Sequence, residues 1–176
     1  MNIVMIGYRG SGKTVVGEII AVRLGMSYMG MDAEIVKMAG MSIPQIVEKY
    51  GWKTFRDMES KKAQELGGQD NIIIDTGGGI IERSENITAL QTNALIFWLK
   101  VSVDTIVSRI QDDTERPALT NGKTFTEEIE DVLEQRISRY KSAAQYEIDT
   151  DNLTPEQVAD RIINIVSKVR NKGKKF

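Results

Sequence analysis

The chain has 0 Cys and 0 His in 176 residues. Without cysteine there is no disulfide, no thiolate nucleophile and no cysteine zinc site, which fits a reducing compartment. Without histidine, the usual general base and the usual transition-metal ligand are both missing. Acid–base work then falls to Asp, Glu, Lys or Tyr. A metal, if used, is a hard ion in oxygen ligands, which points to Mg²⁺. Proline is scarce, with 3 in the chain, so each one is informative about boundaries: Pro44 and Pro155 suit helix starts, and Pro117 lies in a polar stretch. Long apolar runs are also missing. The longest uninterrupted run, 94–99, is far too short for a bilayer. The first residues enter a strand with no leader pattern. The expectation is a cytoplasmic protein with no membrane partner. No charge sign dominates: 23 Lys+Arg stand against 25 Asp+Glu, a net charge of −2. That argues against a bulk nucleic-acid binder but leaves room for a local basic pocket. The length suits one domain, 1–176, with a sizeable core.

What the chain does have is a phosphate-binding loop, Gly7-Tyr8-Arg9-Gly10-Ser11-Gly12-Lys13-Thr14. The context supports it. Residues 2–6 form a short apolar run of strand type, and 15–24 carry apolar residues near a 3.6 period. A loop joining that strand to that helix can turn its N–H groups inward, with the helix N-terminus adding positive charge. Gly10, Ser11 and Gly12 would cradle phosphate, Lys13 would reach the β- and γ-phosphates, and Thr14 would offer its hydroxyl to Mg²⁺.

The rest alternates between strand and helix patterns. A second strand is expected over 27–31, ending at Asp32-Ala33-Glu34. Helices are expected to follow up to Gly40, from Ser42-Ile43-Pro44-Gln45 to about 50, and over 52–66, with Gly51 as a break. That is more helix than a simple crossover needs, and it suggests a small insert, about 33–66, beside the phosphate loop. Strands follow over 71–75, 94–101 and 146–149. Helices are expected over 84–91, from Ser102 to about 111, over 126–144, and from Thr154-Pro155-Glu156-Gln157 to about 169. Residues 112–124 are polar and read as a mobile loop. The basic tail 170–176 reads as a solvated helix end. The alternation predicts an α/β fold, a parallel sheet covered on both faces, with ligands beyond the C-terminal strand ends.

Candidate chemistry gathers at those ends. Asp75 closes an apolar strand and could help hold Mg²⁺ through water; the competing reading is a surface Asp in a turn. Asp32 and Glu34 would point to the same side if the strand persists, one orienting metal water and the other accepting a hydroxyl proton. The competing reading is an acidic pair at a helix N-terminus. Gly77, Gly78 and Gly79 offer bare backbone to a ligand, or make a flexible turn. Arg56 and Glu59 can pair on one helix face. Arg56 and Arg136, from separate segments, could clamp a carboxylate; alone, each reads as a surface ion-pair partner. Arg116, beside Pro117 in the mobile loop, is the candidate lid arginine over a transferring phosphate.

Taken in order, the phosphate loop, Asp32-Ala33-Glu34, Gly40-Met41-Ser42-Ile43-Pro44, Phe55-Arg56 with Glu59, Thr76-Gly77-Gly78-Gly79, Arg116-Pro117, Arg136 and Ile148-Asp149-Thr150 with Pro155 resemble shikimate kinase. The resemblance spans nearly the whole chain. It implies a P-loop, nucleoside-monophosphate-kinase-like fold: three layers, α/β/α, with a five-stranded parallel sheet, a helical substrate-binding insert and a lid over about 112–124. It implies transfer of the ATP γ-phosphate to the 3-hydroxyl of shikimate, with ATP as co-substrate, Mg²⁺ as cofactor, and a monomer. By position, Lys13 and Thr14 take phosphate and magnesium, and Asp32 supports the metal. Arg56 and Arg136 take the shikimate carboxylate, with Glu59 holding Arg56 and the Gly77–Gly79 backbone lining the site. Arg109 and Pro155 sandwich adenine, and Glu34, Lys13 and Arg116 carry catalysis. Three departures stand out: Glu34 replaces the usual second Asp, Asp75 replaces a neutral residue, and Ser138-Arg139-Tyr140 replaces Pro-Leu-Tyr. Two rival readings are a gluconate-type or nucleotide kinase on the same fold, and a non-catalytic ligand sensor.

Overall fold

The computed structural model describes residues 1–110 and 124–173. Its strands are β1 (Asn2–Ile6), β2 (Ser27–Gly30), β3 (Ile72–Asp75), β4 (Ala94–Lys100) and β5 (Tyr146–Asp149), in the sheet order β2-β3-β1-β4-β5. Every pairing is parallel. The helices are α1 (Lys13–Leu24), α2 (Met31–Ala39), α3 (Ile43–Gly67), α4 (Ser84–Gln91), α5 (Val103–Ile110), α6 (Phe125–Ala143) and α7 (Pro155–Gly173), with a 3₁₀ turn at Ile80–Glu82. This is the expected α/β architecture. Parallel neighbours need crossovers, and the crossovers place helices on both faces.

The central strand shows how the layers are held. Ile3 and Met5 pack into a core with Val16 and Ile20 of α1 and Val158 and Ile162 of α7. Val4 and Ile6 pack into the opposite core with Leu66, Leu90 and Tyr140. All four β1 side chains are 0% exposed, so β1 is apolar on both faces rather than alternating. The register pairs Met5 with Asp75 and Gly30 with Asp75, so β1, β2 and β3 end level with one another. The segments leaving those ends meet at one edge.

The starts of α3, α6 and α7 follow their side-chain signals. Ser42 and Gln45 form a reciprocal capping box before α3, and Thr124 and Glu127 form another before α6. Before α7, the Thr154 N–H donates to Gln157 Oε1 at 2.9 Å and the Gln157 N–H donates to Thr154 Oγ1 at 3.3 Å. Gly51, at φ 81° and ψ 163°, kinks α3 where the break was expected; that backbone is open to glycine and strained for other residues. Beside the main sheet, Ile35, Ile43, Ile46 and Phe55 form a small core of their own under α2 and α3.

One boundary differs from expectation. β2 ends at Gly30, and Met31 already opens α2. Asp32 and Glu34 therefore lie in the first helical turn. Two residues apart on a helix, they point to different faces, not to one side as a continued strand would have it. The helix dipole favours both there. Among the described residues no helix is long and apolar enough to cross a membrane.

Candidate active site

The phosphate loop wraps the N-terminus of α1. Gly10 has φ 77°, and a Cβ there would lie 2.8 Å from Ile110 Cγ2, so both backbone and space call for glycine. The Lys13 ammonium, buried, donates to the carbonyls of Gly7 and Tyr8, each at 3.0 Å. Thr14 Oγ1 donates to Asp75 Oδ2 at 2.7 Å, and the Tyr28 hydroxyl donates to the same oxygen at 2.8 Å. Asp75 is 8% exposed, which removes the surface-turn reading. Burial, with the Asp75 charge beside it, pushes the Tyr28 hydroxyl above the usual tyrosine range and keeps it a donor. A cavity of about 450 Å³ opens here, with Arg9, Lys13, Thr14, Asp32, Asp75 and Gly78 among its lining residues.

Gly77, Gly78 and Gly79 occupy a crowded corner. None has a positive φ, so at Gly77 and Gly79 space, not turn geometry, calls for glycine, whereas a Cβ on Gly78 would meet nothing closer than 3.5 Å. A Cβ on Gly77 would lie 2.8 Å from both Asp32 Oδ1 and Glu59 Oε1, and one on Gly79 would overlap the Arg56 guanidinium. The carbonyl of Gly78 accepts the Tyr140 hydroxyl at 2.5 Å and Arg136 Nη1 at 3.5 Å. Burial pushes the Tyr140 hydroxyl above its usual range.

Both candidate clamp arginines are anchored by acids. Arg56 Nη1 pairs with Glu59 Oε2, and the Glu59 side chain is 1% exposed. Glu59 Oε1 is buried with no hydrogen-bond partner. Burial raises the Glu59 pKa, and the adjacent Arg56 pulls the other way without cancelling it. Arg136 Nε donates to Glu82 Oε1 at 2.7 Å. Arg56 thus lies against Gly79 and Arg136 against the carbonyl of Gly78, on consecutive residues whose Cα atoms are about 3.8 Å apart. Guanidiniums from α3 and α6 both approach the Gly78–Gly79 peptide unit.

A second cleft, of about 310 Å³, runs from the loop to the start of α7. Gly12, Arg109, Thr150, Leu153, Pro155 and Val158 are among its lining residues. Arg109 Nη1 donates to the Gly10 carbonyl at 2.9 Å. This brings together the residues expected around adenine.

The family model described as shikimate kinase matches residues 9–167. The chain belongs to the shikimate kinase family. A shikimate kinase from Caldicellulosiruptor bescii is 40% identical over 93% of this chain and 94% of its own length. One from Thermodesulfovibrio yellowstonii is 38% identical over 97% of each. The solved structure of a shikimate kinase from Acinetobacter baumannii, in complex with shikimate, superposes with a TM-score of 0.90 at 30% identity, covering 95% of this chain and 93% of that one.

The departures from the shikimate kinase pattern have identifiable partners. Asp75 is the shared acceptor of Thr14 and Tyr28. Arg139 donates to Glu82 Oε2 at 2.5 Å, so Glu82 holds Arg136 and Arg139 together. Glu34 is not among the residues lining the phosphate-loop cavity. Its carboxylate lies 3.8 Å from Lys62 Nζ and is 35% exposed. Arg116 and nearly all of the expected lid lie outside the described residues. Sequence reasoning gave no role to Tyr28, Glu82 or Tyr140. Only Tyr140 carried a signal: it lies four residues after Arg136, hence on the same helix face.

Proposed function

We propose that this chain transfers the γ-phosphoryl group of ATP to the 3-hydroxyl of shikimate, giving shikimate 3-phosphate and ADP for aromatic amino acid biosynthesis. The observation that carries the proposal is the pair Arg56 and Arg136 beside one peptide unit, Gly78–Gly79, each backed by a carboxylate. Planar forks held in place this way suit bidentate capture of a substrate carboxylate, and an acidic, non-nucleotide acceptor supplies one. The insert of α2 and α3 is the acceptor-binding part of a single kinase domain.

Lys13 leaves the loop carbonyls to take phosphate oxygens, and Arg109 and Pro155 hold adenine. Mg²⁺ fits the oxygen donors present: the Thr14 hydroxyl, with Asp32 and Asp75 nearby. Among the described residues no group of three or more His, Cys, Asp or Glu could hold a metal. That suits an ion that keeps several waters and leans on substrate phosphates. Bound there, it neutralises phosphate charge. Thr14 can offer a lone pair to the metal because its proton already goes to Asp75.

Glu34 orients the acceptor hydroxyl. Its contact with Lys62 is longer than a hydrogen bond, so the carboxylate is loosely held and free to turn. The transferring phosphoryl passes through a loose transition state, so positioning matters more than base strength. Arg116, outside the described residues, is assigned the charge of the transferring phosphoryl group. The chain works as a cytoplasmic monomer.

The test is ADP release from MgATP by the purified chain with no acceptor, shikimate, gluconate or nucleoside monophosphates. Release that depends on shikimate is expected. Release with gluconate or a nucleotide alone overturns the acceptor assignment, and nucleotide binding without turnover overturns the enzyme assignment.

A further inference from the structure

Arg9 is the residue of the phosphate loop to which the mechanism gives no work. Its guanidinium carbon lies 5.9 Å from the Tyr8 ring centroid and 5.5 Å from that of Phe125, the first residue of α6. Two aromatic faces therefore hold the cation in place. Phe125, 38% exposed, is a large apolar side chain whose position is explained by that stack. Among the described residues no carboxylate forms an ion pair with Arg9. Its Nε is buried with no hydrogen-bond partner. A buried, unsatisfied donor on a charged group is costly unless an acceptor arrives. Arg9 also lines the cavity that holds Lys13, Thr14 and Asp75. Its backbone nitrogen is 3.6 Å from where a Gly78 Cβ would stand, so it adjoins the glycine run on the acceptor side of the loop.

We propose that Arg9 is a further anion-binding residue, taking a substrate oxyanion where the phosphate loop meets the acceptor pocket. The proposal rests on the kinase reading above. Two sources share that chemistry: an oxygen of the phosphoryl group in transfer, and the carboxylate of the acceptor. The aromatic mount makes Arg, with its planar fork, the fitting cation, and Lys would neither stack nor fork.

The experiment compares the parent with Arg9→Met, which keeps an unbranched side chain over Phe125, and Arg9→Lys. Initial rates are measured over shikimate and MgATP, with calorimetric binding of MgADP and of shikimate to the MgADP complex, and melting temperatures. Arg9→Met is expected to lose about tenfold or more in kcat/KM for shikimate, the scale of one charge-assisted contact, with MgADP affinity within about twofold of the parent. A rise in KM with weaker shikimate binding assigns the carboxylate; a loss in kcat with binding kept assigns the phosphoryl group. Arg9→Lys is expected to recover only part, and it stands in if Arg9→Met fails to fold. Variants that match the parent in kcat and KM, or that change only melting temperature, overturn the proposal. An active parent beside unaffected variants removes the Arg9 assignment alone. A parent that neither binds nor turns over shikimate removes both readings.

Discussion

The close packing of Gly79 against Arg56 gives a sharp expectation for Gly79→Ala. The backbone, at φ −93° and ψ 7°, accepts alanine, so strain at the substituted residue is not the issue. The new Cβ would overlap Nη1, Cζ and Nη2 of Arg56. The guanidinium, as the far end of a flexible side chain, moves. In moving it leaves Glu59, whose side chain is 1% exposed. Orphaning a buried carboxylate costs about 3–5 kcal/mol in full. The raised Glu59 pKa offers relief by protonation, and the net cost is about 2 kcal/mol. For a chain of this size that lowers Tm by about 4–8 °C. The effect on function is larger in proportion. Losing one charge-assisted hydrogen bond to the acceptor carboxylate costs about 1.5–3 kcal/mol, or about 10- to 150-fold in KM for shikimate. KM for ATP stays near the parent value. Gly68→Ala is the control. Its backbone is right-handed helical at φ −78° and ψ −8°, and its Cβ would meet nothing closer than 3.6 Å. Coupled ADP-release kinetics and thermal melts on both variants, with Arg56→Ala and the Arg56→Ala, Gly79→Ala double variant, complete the cycle. Adding Gly79→Ala to Arg56→Ala should change little more. A Gly79→Ala protein with parental KM and Tm would refute the reasoning.

Asp75→Asn keeps an oxygen acceptor for Thr14 and Tyr28 but loses the charge, so the fold should hold while Mg²⁺ titration of nucleotide binding shifts to about tenfold higher concentration. An unchanged titration removes Asp75 from the metal site. Glu59 has a raised folded pKa, so its contribution to stability is fullest below the usual glutamate range and is lost as pH rises through the raised value. Glu59→Gln should remove that part of the pH dependence in denaturation from pH 4 upward, and a difference curve that is flat contradicts it. Gly17→Ala gains about 1 kcal/mol of helix propensity, but its Cβ would lie 2.5 Å from Met5 Cε and 2.8 Å from the Tyr28 ring. Overpacking of about 1–3 kcal/mol should win, and a rise in Tm would show that Tyr28 is less fixed than its bond to Asp75 implies. Glu34→Gln should lower kcat by about 100-fold with MgADP affinity unchanged; full activity removes the orienting role.

The parts of this molecule that were legible in sequence are those set by near neighbours. β1 follows from an unbroken apolar run, and the starts of α3 and α7 from capping residues three apart. The Arg56–Glu59 pair follows from its i, i+3 spacing. The start of α2 was less visible because Gly30 supplies no side-chain cap, so Asp32-Ala33-Glu34 fitted a strand end as well as a helix start. Contacts between segments far apart in the chain were not legible at all. Tyr28 meets Asp75 across 47 positions and Arg136 meets Glu82 across 54. The glycine run was recognised as bare backbone, but what fills the space beside Gly77 and Gly79 is protein: Asp32, Glu59 and Arg56. That packing depends on how α2 and α3 fold over β3, which no local pattern encodes.

The central claim is an acidic acceptor held through its carboxylate by Arg56 and Arg136. It is tested most directly by the initial rate of MgATP-dependent ADP release with shikimate, beside the same rate with its methyl ester. Release is expected to require an acceptor, with a kcat/KM for the ester about 10- to 150-fold lower, the value of one charge-assisted contact. Equal rates for acid and ester, or no release with shikimate, would contradict it.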